Sequence, residues 1–184
     1  MFVALDLSVK STGYAFWQPG MDRPVCGIWS LAGGIEWAGR ACFRLHRNLI
    51  DLHTVTEITS LIWEEPLPHW ALQGQTNIKT LRAAAGLAMH AESFAEAVGA
   101  RRHETNQSTW RRHFLGKMPR GTKTVDLKRM AMDRCRQLGF DPEKHDAAEA
   151  CGLLDYLLDI EGIHPPWRDQ SIFTPQFLAK GATA

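Results

Sequence analysis

The chain has 184 residues, 45% of them hydrophobic and 22% charged, with a net charge of +1 and a mean hydropathy of −0.24. These values suit one globular domain with a real core and exclude a disordered or fibrous chain. The start, Met1 to Asp6, lacks a basic leader and reaches an acid too soon for a signal peptide, and no apolar run approaches the ~18 residues that cross a bilayer, so a cytoplasmic location is expected.

Residues 2–7, 14–17 and 25–31 are short apolar runs separated by Ser8 to Gly13 and by Pro19-Gly20, which predicts three antiparallel strands. Residues 39–55 place Cys42, Leu45, Leu49 and Leu52 at three-to-four spacing, with Arg40, Arg44 and Arg47 on other faces, the pattern of an amphipathic helix. Residues 58–64 are apolar and closed by Pro66 and Pro68, a strand whose full apolarity fits an interior parallel position. Residues 77–98 predict a long alanine-rich helix and 100–104 a further strand. A short helix over 108–115, a loop over 116–121, a basic helix over 122–138 ended by Gly139, and a last helix over 146–159 follow. Pro165, Pro166, Pro175 and Gly181 make residues 161–184 read as an extended tail behind a single domain of residues 1–160. The order specifies an α/β domain with a mixed five-stranded sheet, three antiparallel strands and then parallel ones, flanked by helices.

Four cysteines, Cys26, Cys42, Cys135 and Cys151, form no Cys-x-x-Cys pair and no zinc spacing. Reduced thiols are expected, with neither zinc nor disulfides. Charge is distributed unevenly. Residues 101–136 carry eleven Lys or Arg against three acids, and residues 141–169 carry eight acids against Lys144 and Arg168. A basic stretch beside an acidic one suits a groove for an anionic polymer next to a metal-holding rim; solvated helix faces of opposite sign would give the same composition. Within the basic stretch, Lys123, Lys128, Arg111 and Arg112 are candidate phosphate contacts. Trp110 and Trp70 are mostly core by type, or else stack on an unpaired base.

Four acids sit where a lone carboxylate is a liability. Asp6 interrupts Phe2-Val3-Ala4-Leu5, and Glu64 ends Leu61-Ile62-Trp63. Charges buried there need pairing, neutralisation or a cation. Asp146 and Glu149 lie three apart, so on a helix they share a face and repel unless something positive stands between them. A divalent metal resolves all four problems, and hard carboxylate oxygens suit magnesium, with manganese a substitute. Each acid also has a bland account: Asp146 and Glu149 match a capping box, Asp6 can cap the turn toward Thr12-Gly13, and Glu65 competes with Glu64. His145, beside Asp146, is a candidate for proton transfer or phosphate contact, or a supporting residue like Glu65.

Val3 to Ser8 with Thr12-Gly13-Tyr14, Ile62 to Pro66, residues 77–86, Thr109-Trp110-Arg111, Leu115-Gly116 and His145 to Ala150 occur in an order that resembles the RuvC-like Holliday junction resolvases of the RNase H-like superfamily. The compact phage-type members are the nearest in pattern. The resemblance covers roughly residues 2–158 and implies an RNase H-like fold. It implies a magnesium-dependent endonuclease acting on branched DNA with two ions held by Asp6, Glu64, Asp146 and Glu149, and a homodimer matching the two-fold symmetry of a four-way junction. For a phage-encoded member the location would be the host cytoplasm. Two departures stand out: Leu7-Ser8 replaces the usual Pro-Gly after the first acid, and Glu149 replaces an aspartate. Lys123 and Lys128 compete for the place of the family's active-site lysine. Rival readings are a less selective nuclease on forks, flaps or single strands, an inactive DNA-binding module, and an actin- or sugar-kinase-type ATP-binding protein, for which the chain supplies one lobe rather than two.

Overall fold

A computed structural model describes residues 1–66 and 78–172, the side chains of 170–172 excepted. Strands β1 (Phe2–Asp6), β2 (Thr12–Trp17) and β3 (Val25–Trp29) lead through a single 3-10 turn into helix α1 (Ala38–Val55). Strand β4 (Ser60–Glu64), helix α2 (Ile78–Val98), strand β5 (Arg101–Thr105), and helices α3 (Gln107–Leu115), α4 (Thr124–Gln137), α5 (His145–Ile160) and α6 (Pro166–Ile172) complete it. The sheet order is β3-β2-β1-β4-β5. The β1–β2 and β2–β3 pairs are antiparallel, and β1–β4 and β4–β5 are parallel, as the element order predicts.

Two cores separate the faces of the sheet. Val3, Leu5, Leu61 and Trp63 pack with Leu45 and Leu49 of α1 and Leu87 and Phe94 of α2. Phe2, Ala4 and Ile62 pack with Trp110 and Phe114 of α3, Cys135 of α4 and Leu153, Leu154 and Leu157 of α5. Because side chains alternate along a strand, Asp6 follows Ala4, and Glu64 follows Ile62, onto the α5 face. Asp6 and Glu64 thus end two neighbouring parallel strands on one side of the sheet, at the carboxyl ends where open α/β sheets place their ligands.

The segment after α5 departs from the extended tail read from its prolines. Pro166 is the first residue of α6, where its missing N–H is not needed. Trp167 is 1% exposed, T-stacked on Phe140 and Trp17. Its indole donates to Asp155 Oδ1 at 2.8 Å, which ties α6 to α5. Pro175 and Gly181 lie outside the described residues. All four cysteines are free, and the buried Cys135 thiol donates to Ala148 O at 3.7 Å. Among the described residues no helix is long and apolar enough to cross a membrane.

Candidate metal centre

Asp6 reaches the site as the last residue of β1, Asp146 and Glu149 from the first turn of α5. Ligand oxygens of these three acids all lie within 4.8 Å of one another. Residues 140 positions apart in sequence meet because β2 admits α5 closely. Gly13, the register partner of Asp6, faces the Asp146 carbonyl, and a Cβ built there would fall on that oxygen and on Ala147 N. Only glycine permits that approach.

The bland accounts of the acids do not survive this geometry. The N-cap of α5 is Lys144, without a side-chain cap, so Asp146 and Glu149 form no capping box. The turn after β1 is closed by Thr12, whose Oγ1 donates to Ser8 O at 2.6 Å and accepts from Ser8 N at 3.0 Å, rather than by Asp6. Asp146 in the first turn does gain from the helix dipole. Glu149 is 4% exposed.

Glu64 stands beside the three acids rather than among them. Its Oε2 accepts from Trp110 Nε1 at 2.9 Å and its Oε1 from Gln107 Nε2 at 3.0 Å. Neighbouring Glu65 is exposed; its backbone N–H extends the β5 pairing by donating to Thr105 O. The alternation of β4 therefore chooses between the two glutamates. Trp110 is wholly buried, the core placement expected of its type and not the base-stacking alternative; it reaches Glu64 because Gly152 of α5 leaves it room, an added Cβ lying 2.7 Å from its ring. Trp70 lies outside the described residues.

Cations partly balance the cluster. Arg111 is 5% exposed and ion-paired with Glu149, so it is an internal counter-ion and not the surface phosphate contact predicted from its charge. Its Nε has no hydrogen-bond partner, and its guanidinium lies against the Trp110 ring. Lys128 Nζ lies 3.4 Å from Asp146 Oδ1 and 3.7 Å from Glu149 Oε2. Burial works against its ammonium, but the fields of Glu149, Asp146 and Asp6 outweigh it and raise its pKa. Lys123, by contrast, is the exposed N-cap of α4. Arg112 and His145 are exposed, His145 opening α5.

The acids remain strained electrostatically. Burial first, then Glu149, Glu64 and Asp146, push the Asp6 carboxyl well above its usual range, with Lys128 opposing. Burial also raises Glu64, against the hydrogen bond from Trp110 and the charge of Arg111. A half-buried carboxylate surrounded by three others, all hard oxygen donors, fits a divalent cation of the magnesium type. Sequence reasoning missed Gln107, Trp110 and Arg111 as the site's supports. They stand at i, i+3 and i+4 on α3, one helix face carrying an amide, an indole and a guanidinium, which is the signal that would have found them.

The net +8 of residues 101–136 is also less available than its composition suggests. Arg101 pairs with Glu161, Arg102 with Glu92 and Glu96, Arg129 with Asp126 and Arg136 with Asp133.

No protein-family profile matches the chain, and no curated protein matches it. Solved structures do. The Thermus thermophilus RuvC in complex with a Holliday junction substrate superposes with a TM-score of 0.62 at 11% identity, covering 88% of this chain and 95% of that one. The yeast mitochondrial Holliday junction resolvase Ydc2 gives 0.54 at 11% identity, over 96% and 85%. The fold is that of the RuvC-like resolvases, as the sequence motifs imply.

Proposed function

We propose that this protein is a magnesium-dependent endonuclease that cuts phosphodiesters at branched DNA, four-way junctions or related forks and flaps, leaving 5′ phosphate and 3′ hydroxyl ends. The observation that carries this reading is the convergence of Asp6, Asp146 and Glu149 within 4.8 Å, at the strand ends of this fold. Divalent cations, the expected pair, would supply water activation on one side of the phosphodiester and charge stabilisation of the departing oxygen on the other.

The chain's own residues do the rest. Asp6, at the centre of the sheet, would hold the cation together with Asp146 and Glu149 from α5. Trp110 and Gln107 fix both oxygens of Glu64, so its carboxylate is held in one orientation at the end of β4. Arg111 holds one oxygen of Glu149. Lys128, between the acids and solvent, presents its ammonium to the incoming phosphate, and His145 stands at the mouth to contact it. Arg112 and Lys123 are exposed and form no ion pair among the described residues; they serve as phosphate contacts. Exposed Ile78 and Met89 on α2 form part of a two-fold dimer face that sets two sites on one junction.

Cleavage of an end-labelled four-way junction tests this. The expected result is magnesium-dependent cutting without nucleotide, lost on chelation and in Asp6→Asn. Cutting that persists unchanged in Asp6→Asn overturns it, and equal cutting of linear duplex would replace junction selectivity with a general nuclease.

A further inference from the structure

We infer that α1 carries a second DNA-binding surface, on the side of the sheet opposite the acids, that grips the backbone of another arm of the branched substrate; this rests on the branched-DNA reading above. Arg40, Phe43, Arg44 and Arg47 are all exposed and fall at i, i+3, i+4 and i+7, one face of the helix. None of the three arginines has a carboxylate partner among the described residues, whereas Arg101, Arg102, Arg111, Arg129 and Arg136 all do. Arg44 does donate to Leu31 O at 3.0 Å, and the Arg40 guanidinium lies 4.5 Å from the Trp37 ring centroid.

Aromatic surface is interleaved with this charge. Phe43 is 61% exposed and Trp37 48%. A cleft of about 400 Å³ runs beside Phe43, lined also by Ser30, Arg44, Arg47, Asn48 and Asp51. Arg40 to Arg47 spans ~10 Å of helix axis, about three phosphate steps at ~3.4 Å of duplex axis each. Guanidinium groups for phosphates, aromatic edges for sugars and amide or hydroxyl donors between them are the chemistry of a nucleic-acid backbone site. A second copy of the chain fits poorly, since a two-fold contact here would set the same arginines against each other. Because α1 packs on the Leu5 face and Asp6 belongs to the other, a strand cut at the acids cannot also lie along α1. A separate arm can.

The test is anisotropy of a labelled four-way junction titrated with wild type and with the Arg40→Gln/Arg47→Gln double variant, Arg44 being spared for its bond to Leu31. Expected is a log–log salt slope shallower by about 1.8, the change for two fewer neutralised phosphates, with melting temperature and cleavage rate at saturating substrate unchanged. An unchanged slope overturns the inference, as does an unchanged slope with wild type dimeric and the variant monomeric, which would make the face a subunit contact. Failure of the branched-DNA reading looks different: wild type neither prefers nor cuts the junction, while the slope difference is still read on plain duplex.

Discussion

Replacing Asp6 by asparagine should stabilise the metal-free protein while abolishing its chemistry. Asp6 lies within 4.8 Å of oxygens of Asp146 and Glu149. At an effective dielectric of about 20, each full-charge pair at that distance repels by roughly 3.5 kcal/mol. Lys128, 3.4 Å from Asp146, offsets part of this. Protonation sets a ceiling: neutralising a carboxyl of ordinary pKa 3.8 at pH 7 requires about 4.4 kcal/mol, and the penalty cannot exceed that. Asparagine keeps the shape and removes the charge, so a gain of about 1–4 kcal/mol follows, or roughly 2–16 °C in Tm for a domain of this size. The assay is thermal unfolding in chelator and in magnesium. Wild type should rise in magnesium and Asp6→Asn should not. A variant less stable than wild type in chelator would refute the electrostatic reasoning, and an intact magnesium shift would refute the role of Asp6 in holding the ion.

Gly13→Ala should displace the start of α5, costing about 1–3 kcal/mol and roughly a hundredfold or more in cleavage; normal cleavage would show that the approach of β2 to Asp146 is not needed. Trp110→Phe removes one donor to Glu64 and keeps most of the ring, so stability should fall by about 1 kcal/mol while cleavage falls further; equal losses of Tm and no loss of cleavage would make the bond purely structural. Acid stability should reflect Glu161 at the opposite end of the sheet. Burial opposes its ionisation, yet hydrogen bonds from Arg101, Ser60 and His103 hold its pKa at about 2 against 4.5 unfolded. Its folded pKa is depressed, so its contribution is full above 4.5 and is lost as pH falls through about 2. Glu161→Gln should therefore be less stable than wild type at neutral pH, with the gap closing in acid; a gap constant with pH would contradict this.

The sheet was legible because each strand is a short apolar run bounded by turn residues, and the parallel placement of β4 followed from its apolarity and flanking helices. Asp6 and Glu64 stood out as charges at the ends of such runs, and Asp146 and Glu149 by their three-residue spacing on one helix face. Choosing Glu64 over Glu65 needed the register, because one step along a strand reverses the face. Arg111 was misread from charge alone: nothing local says that Glu149 will face it across α3 and α5. Trp110 was expected in the core by type, but its bond to Glu64 was not legible, the partner lying 46 positions away. The prolines before α6 were read as breakers, yet Pro166 occupies the first helical position, where proline is favoured, and buried Trp167 supplies the packing that holds the helix.

Calorimetric titration with magnesium or manganese, in the absence of DNA, tests the central claim most directly, because it asks only whether these carboxylates hold an ion. Wild type should bind, and Asp6→Asn and Glu149→Gln should each lose most of that affinity while remaining folded. Binding by folded Asp6→Asn as tight as by wild type would contradict the claim.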